Sequence, residues 1–195
     1  GAAMTGTGAF ATVRVDRTLD VSVVGDESAF IGLKDNSPYA KIQNGKLTLN
    51  FEGGFGAQNG NGLNKNSDTV FHNVFEIVNN GTNDTNIIPS VGGGQIGLPD
   101  DSPLGVYHST NQLTGGTGIT SASAFPTTPT ASGDAEGTDP QELSPKNKLI
   151  LSPGDSAYVH IGFFLRDNYA ATSDDNTNIS AVPDGLGLYC TPTGT

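Results

Sequence analysis

Apolar and polar residues alternate with a period of two along most of this chain, the pattern of β-strands with one buried face. The alternation predicts strands at residues 19–23, 29–33 and 46–51, and the pair Asn44-Gly45 before the third predicts a tight hairpin turn. No window has the apolar spacing of an amphipathic helix with capping residues at its ends. The pattern therefore predicts an all-β fold.

Two longer segments have apolar residues on both faces, which predicts central strands covered on each side. In residues 69–78 one face carries Phe71, Phe75 and Ile77, and the other carries Val70, Val74 and Val78. In residues 157–165 one face carries Ala157, Val159, Ile161, Phe163 and Leu165, and the other carries Tyr158, His160 and Phe164.

Shorter strands are predicted at residues 86–91, 148–151, 178–182 and 186–190, and Pro89 assigns the first of them to a sheet edge. Eight or more strands separated by turns favour one jelly-roll-like antiparallel β-sandwich spanning residues 1–195. Residues 92–147 interrupt it, because they are rich in Gly, Ser, Thr, Pro and Asp. Since loops of this length are uncommon inside compact domains, this segment is interpreted as an elaborated surface insertion with one or two short strands.

Residues 1–16 form a strand-like segment of small apolar residues at the amino terminus, without a Met at position 1. Such a start predicts export through a cleaved signal peptide and therefore an extracellular or cell-surface location. Terminal segments are usually polar, so a segment of this kind needs a sheet to join. That sheet is either its own, as an ordinary first strand, or the sheet of a neighbouring subunit.

Composition narrows the classes of partner. Nine basic against twenty acidic residues give a net charge of −11, which argues against nucleic acid and anionic membrane surfaces. No apolar run reaches 18 residues, so no transmembrane segment is predicted in the mature chain. The single cysteine, Cys190, excludes an internal disulfide and is interpreted as a small buried apolar residue, with an intermolecular disulfide or a nucleophile as alternatives.

Catalytic patterns are weak, and no enzymatic activity is predicted. His72 and His160 lie within strands on faces that otherwise carry apolar groups, which favours packing over base catalysis, and His108 is the third histidine. No serine has the Gly-x-Ser-x-Gly context of a nucleophile elbow. The acidic pairs Asp100-Asp101 and Asp174-Asp175 both fall in polar loops, where neighbouring side chains rarely face each other.

Calcium is the one cofactor that the acidic loops allow, since it binds carboxylate and carbonyl oxygens. Asp174 and Asp175 are weak candidate ligands, and Asp134, Glu136 and Asp139 could add others, but no spacing matches a calcium-binding loop. Three Asn-x-Ser/Thr sequons make Asn80, Asn83 and Asn178 candidate glycosylation sites in an exported protein.

Two segments carry a family resemblance. Residues 62–81, with a long strand ending in Asn79-Asn-Gly81, resemble a strand of the TasA/camelysin-like secreted fibre proteins. The opening Gly6-Thr-Gly-Ala-Phe-Ala-Thr-Val-Arg-Val-Asp-Arg17 is similar to the mature start of their archaeal branch, which includes bundling-pilus subunits and related halophilic surface proteins. The likeness covers about the first 90 residues and the strand entry near Leu151; no zinc-binding His-Glu-x-x-His motif is present, so proteolysis is not carried over.

This resemblance implies a sandwich that polymerises into extracellular fibres of a biofilm matrix by donor-strand complementation, in which each subunit completes the sheet of the next. The partner is then the chain itself, in a head-to-tail homopolymer that could bundle laterally. The residues expected to fill the acceptor groove are Ala2, Ala3, Met4, Ala9, Phe10, Ala11 and Val13. The alternative is a monomeric secreted module that binds carbohydrate or calcium through residues 92–147 and their aromatics Tyr107 and Phe125.

Overall fold

A computed structural model gives the fold of this protein. It describes residues 14–15, 18–25, 30–51, 54–55, 63–64, 68–91, 95–98, 103–113, 140–145, 147–165 and 183–193. Within these ranges no helix is long and apolar enough to cross a membrane.

The described chain forms fourteen strands, more than the alternation predicts, and the predicted strand at residues 178–182 lies outside the described residues. In chain order they are β1 (Arg14–Val15), β2 (Thr18–Gly25), β3 (Ile31–Asp35), β4 (Ala40–Gln43), β5 (Lys46–Asn50), β6 (Leu63–Asn64), β7 (Asp68–Asn79), β8 (Thr85–Val91), β9 (Gln95–Ile96), β10 (Leu104–Ser109), β11 (Gln141–Glu142), β12 (Leu149–Leu151), β13 (Ser156–Phe164) and β14 (Gly185–Pro192).

Two main sheets form a β-sandwich, and the prediction of an all-β sandwich is confirmed. One sheet has the order β11-β10-β13-β7-β3, and the other has the order β12-β8-β14-β2-β5-β4 with β9 beside β8. Strands β1 and β6 form a separate two-stranded ladder. The core between the sheets is built from alternate residues of each strand, including Leu19 and Leu49 in one sheet and Phe75 and Phe163 in the other. At one end of it the rings of Tyr39, Phe51, Phe71 and Phe163 pack against one another.

One pairing departs from the predicted antiparallel arrangement. β2 and β14 run parallel in the middle of their sheet, with Val21 opposite Leu186 and Val23 opposite Leu188. Alternation shows which residues of a strand are buried and does not show its direction relative to a strand 165 residues away, because that pairing is non-local.

The edge assignment of residues 86–91 is wrong. β8 lies inside its sheet, between β14 on one side and β12 and β9 on the other. Its pairing with β12 ends at Ile87 and its pairing with β9 begins at Ser90. Pro89 therefore lies where the outer ladder is interrupted, which is how an internal strand accommodates a residue without an amide hydrogen.

Part of the predicted insertion belongs to the sandwich. β10 pairs with β13 over six residues, and its Leu104 and Val106 are buried in the core. On the outer face of this sheet Tyr107 and Phe164 are also buried, and Val70 and Leu113 pack against them. The interpretation of residues 92–147 as a surface insertion therefore does not hold for β10, which is covered on both faces.

A bulge divides β7. Val159 pairs with Phe75 and Ile161 with Phe71, so three residues of β7 lie opposite one residue of β13. Phe75 and Ile77 are buried in the core and Phe71 packs against it, as predicted. Val74, predicted on the other face with Val70, belongs to the core as well, because the bulge changes the path of the strand at this point.

Candidate functional site

The amino-terminal donor residues Ala2, Ala3, Met4, Ala9, Phe10, Ala11 and Val13 lie outside the described residues. The described chain begins with β1, in which Arg14 is opposite Asn64 and Val15 is opposite Leu63. This ladder belongs to neither main sheet. The first strand of the sandwich itself is β2, so Arg14 and Val15 do not act as an ordinary first strand of a main sheet.

β2 is paired on both sides only at Asp20 and Val21. β5 pairs with residues 18–21 of β2, and the last pair is Val21 with Leu47. Beyond it the Asn44-Gly45 turn ends the hairpin of β4 and β5, with φ angles of 53° and 77° that suit this residue pair. Among the described residues, residues 22–25 therefore pair with β14 alone.

An equivalent edge lies in the other sheet. β3 pairs with β7 on one side, and no described strand pairs with its other side. Residues 26–29 join the end of β2 to the start of β3, so residues 22–25 and 30–33 occupy the same end of the sandwich, one set in each sheet. We call this region the β2–β3 opening.

Apolar side chains border the β2–β3 opening. Val23 is 40% exposed and Phe30 is 65% exposed, although both are large apolar residues. Ile31 and Leu33 pack against the core but are only partly buried. Edges of this kind, with apolar side chains and unpaired backbone groups, are the places where another strand can add.

The three histidines lie on three neighbouring strands of one sheet: His72 on β7, His160 on β13 and His108 on β10. His160 is fully buried opposite the bulge, and its Nδ1 accepts the backbone amide of Asn73 at 2.8 Å. The rings of His72 and His160 lie 6.0 Å apart in an edge-to-face arrangement. His108 lies on β10, paired with Val159, and its buried Nε2 has no hydrogen-bond partner among the described residues.

Ser109 and His160 touch, but their hydrogen bonds have the wrong polarity for a catalytic dyad. The Ser109 hydroxyl donates to the carbonyl of Asn111 at 2.6 Å, so Nε2 of His160 must donate to the Ser109 oxygen, 2.8 Å away. A nucleophilic serine needs the opposite direction, with Nε2 accepting and Nδ1 donating. Here both ring nitrogens are satisfied in the neutral form, and the contact stabilises the bulge.

Burial keeps these histidines neutral. Removal from water, with smaller contributions from His72 and His108, lowers the pKa of His160 to about 3. Burial lowers the pKa of His108 to about 4 and also lowers the pKa of His72. The prediction that strand histidines pack within the sheet is consistent with these environments.

Asn73 connects the bulge to the segment that follows β10. Its φ angle is 50°, a left-handed conformation that Asn tolerates better than most residues. Its side-chain amide donates to the carbonyl of Leu113 at 2.8 Å and accepts the Leu113 amide at 2.9 Å. Sequence reasoning missed this role; the one signal was an Asn that interrupts an apolar strand.

The candidate calcium ligands Asp174 and Asp175 lie outside the described residues, as do Asp134, Glu136 and Asp139. Within the part of the chain that the structure describes, no three His, Cys, Asp or Glu side chains are grouped so that they could hold a metal ion.

Cys190 is a free, fully buried thiol on β14. Its Sγ lies 3.4 Å from the carbonyl of Leu188, and burial raises the pKa of the thiol to about 12. A thiol in this environment is neither a nucleophile nor accessible for a disulfide, so Cys190 acts as the predicted small apolar residue of the core.

Two sequons lie in the short connection between β7 and β8, where Asn80 and Asn83 are exposed. Asn178 lies outside the described residues. The buried side chain of Asn79 holds this connection, because its Nδ2 donates to the carbonyls of Asn83 and Leu151 and its Oδ1 accepts the Gly81 amide. The sequence showed the Asn-Asn-Gly turn but not which asparagine points inward.

Comparison with known families gives one result. The sequence profile of the family described as "Protein of unknown function (DUF1102)" matches residues 23–126, which is more than half of the 195 residues. The match begins in β2 and includes β3 to β10. Comparison with curated proteins and with solved structures gives no match. The chain belongs to the DUF1102 family.

Proposed function

We propose that this protein is the structural subunit of an extracellular, pilus-like or biofilm-matrix filament, assembled head-to-tail by donor-strand complementation. In this proposal residues 1–13 of one copy add to the β2–β3 opening of the next. The resemblance to TasA/camelysin-like fibre proteins led to this hypothesis, and the observation that carries it is the opening. There, residues 22–25 of β2 pair on one side only among the described residues.

The dimensions of the two parts are compatible. Residues 22–25 extend over about 13 Å at roughly 3.3 Å per residue, so a donor of four to six residues is long enough to pair with them. Residues 9–13 of the tail place Ala9, Ala11 and Val13 on one face. Small side chains suit a shallow site whose border is formed by Val23 and Ile31.

The tail also starts from a suitable place. Residues 14 and 15 pair with β6 in a ladder outside both main sheets. The preceding segment can then be supplied to another copy without removing a strand from the sandwich of its own copy. Since each copy gives one segment and receives another, the contact is heterologous and yields an open filament.

The energy available is adequate for assembly. Backbone hydrogen bonds would satisfy the free edge of β2, and alternate donor side chains would cover Val23 and Phe30. Burial of the two or three alternate side chains of such a donor, together with Val23 and Phe30, supplies on the order of 5–10 kcal/mol before the ordering of the tail is subtracted.

A binding experiment tests the acceptor. A variant lacking residues 1–12 is titrated into a fluorescently labelled peptide of residues 1–13, and binding is followed by fluorescence anisotropy. We expect saturable binding that Val23→Lys weakens at least about tenfold, because a charge then lies at the apolar border of the site.

Ile150→Lys is the matched control. Ile150 is 59% exposed on β12, at the opposite border of the same sheet, so this variant should bind the peptide as tightly as the unsubstituted protein. Absence of peptide binding, or binding that Ile150→Lys abolishes and Val23→Lys leaves intact, would contradict the proposed acceptor.

A further inference from the structure

The connection between β7 and β8 contains two consecutive sequons with different surroundings. The first is Asn80-Gly81-Thr82 and the second is Asn83-Asp84-Thr85. Both asparagine residues are exposed, so residue exposure does not distinguish them. The residue two positions later does, because the hydroxyl of Ser or Thr is the other half of the signal that a glycosyl-transferring enzyme reads.

The second sequon is held by the sandwich. Thr85 is 1% exposed and pairs with Leu151 of β12 and Pro192 of β14. The carbonyl of Asp84 accepts the backbone amide of Thr193 at 2.7 Å, and the carbonyl of Asn83 accepts Nδ2 of Asn79 at 2.8 Å. Presentation of this sequon to an enzyme requires one end of β8 to leave the sheet.

The first sequon lies on the surface. Asn80 and Thr82 are both exposed, and among the described residues two hydrogen bonds, both donated by backbone amides, hold the segment. The backbone amide of Asn80 donates to the carbonyl of Phe30 at 2.7 Å, and the backbone amide of Gly81 donates to Oδ1 of Asn79 at 2.9 Å. Neither bond involves a strand ladder, so this segment can move away from the sandwich while both sheets stay intact.

An exposed aromatic residue lies beside the first sequon. Phe30 is 65% exposed, and its Cβ would be 3.8 Å from a Cβ built on Gly81. Sugar rings carry an apolar face of C–H groups that packs on aromatic side chains. A glycan on Asn80 would therefore cover apolar surface that the protein leaves in water.

We infer that Asn80 is the N-glycan acceptor of the folded protein and that Asn83 is excluded by the burial of Thr85. The acceptor group is the side-chain amide of Asn80, and the donor class is a lipid-linked oligosaccharide. This inference does not require filament assembly, because it rests on the β7–β8 connection, but Phe30 also borders the β2–β3 opening, where a donor strand would cover the same side chain.

The test uses the folded full-length protein, produced without glycan, and a synthetic peptide of residues 74–91. Both are incubated with a single-subunit oligosaccharyltransferase that modifies the peptide at both asparagines, together with its lipid-linked oligosaccharide. Occupancy at each site is then followed by mass spectrometry. We expect modification of Asn80 in the folded protein to be at least about tenfold faster than that of Asn83, since Asn83 requires local unfolding of β8.

Two exposed variants are the controls. Thr82→Ala should abolish modification at Asn80 without affecting folding, and Asn83→Gln should leave modification at Asn80 unchanged. Modification of Asn83 in the folded protein at a rate equal to or above that of Asn80 would overturn the inference. A folded protein that is modified at neither site would overturn it as well.

Discussion

The ring of His160 accepts the backbone amide of Asn73 through Nδ1, at 2.8 Å, where β7 bulges against β13. This bond fixes the tautomer, because Nε2 is left to donate to Ser109. Nδ1 can accept the Asn73 amide only while the imidazole is neutral, because protonation would turn Nδ1 into a donor. The sandwich therefore contains a proton-sensitive contact in its central strand pair.

Acid should weaken the fold through this contact. The pKa of His160 is about 3 in the folded protein and 6.5 without the fold, so the unfolded chain binds the extra proton between these values. The free energy of unfolding therefore falls as pH decreases through this window, by about 1.4 kcal/mol per pH unit for this group. Below pH 3 this contribution no longer changes.

Urea denaturation at several pH values between 4.5 and 7.5 measures the effect. His160→Gln keeps an acceptor for the Asn73 amide but removes the titrating group, so its stability should fall less steeply with acid, by about one proton in the slope. His108, with a pKa of about 4, contributes a similar slope in both proteins. Equal slopes for the variant and the parent would contradict the assignment.

Substitution of Asn73 should reduce the free energy of unfolding more than the partial exposure of this residue suggests. Asn73→Ala removes both bonds to Leu113 and puts alanine at a φ of 50°, which alanine tolerates less well than asparagine, with an expected loss of about 1–3 kcal/mol. Asn73→Gly loses the same side-chain bonds, but glycine adopts a positive φ without strain, so it should be the milder variant. Chemical denaturation of both variants separates the two effects, and a glycine variant as unstable as the alanine variant would argue against backbone strain.

Among the asparagines around the β7–β8 connection, replacement of Asn79 should reduce the free energy of unfolding most. Its replacement by Ala leaves the Leu151 and Asn83 carbonyls and the Gly81 amide without their partner, with an expected loss of about 3 kcal/mol or more. The adjacent, exposed Asn80→Ala should change stability by less than about 0.5 kcal/mol. Hydrogen exchange at Gly81 should become faster only in the Asn79 variant; comparable instability of the two would contradict the role of Asn79.

Gly105 and Gly162 form a cross-strand pair that is covered by aromatic rings. A Cβ at Gly105 would lie 2.6 Å from the Tyr107 ring and 2.8 Å from the Phe164 ring, so Gly105→Ala should destabilise by about 1–3 kcal/mol. Gly185→Ala is the control, because the nearest atom there is the Asp20 carbonyl at 3.5 Å. In thermal unfolding, Gly105→Ala should melt at a clearly lower temperature than Gly185→Ala. Equal melting temperatures would show that the Tyr107 and Phe164 rings move aside without a loss of stability.

The strands with strong local patterns could be predicted from sequence alone. β5 and β13 follow their alternation, and β7 does so on each side of its bulge; the Asn44-Gly45 turn has the positive φ angles that the residue pair favours. These features depend on neighbours within a few residues. β10 was harder to recognise, because its short segment Leu-Gly-Val-Tyr-His-Ser is buried on both faces and lies among Gly and Pro.

The candidate site depends on relationships that alternation does not encode. The β2–β3 opening exists because the β4–β5 hairpin ends at Asn44-Gly45 while β2 continues to Gly25. Strand β14 pairs in parallel with the other side of this continuation. Prediction of the bulge would have required knowing that His160 of β13 contacts Asn73 of β7. Both are long-range features, whereas the prediction that the amino-terminal tail is a strand came from its residues directly, and residues 1–13 lie outside the described residues.

Electron microscopy of the full-length protein beside the variant lacking residues 1–12 tests filament assembly most directly. The account predicts filaments of regular width from the full-length protein and a folded, monodisperse monomer from the variant, as measured by negative staining and light scattering. Filaments that persist in the variant, or a full-length protein that stays monomeric under conditions that keep it folded, would contradict it.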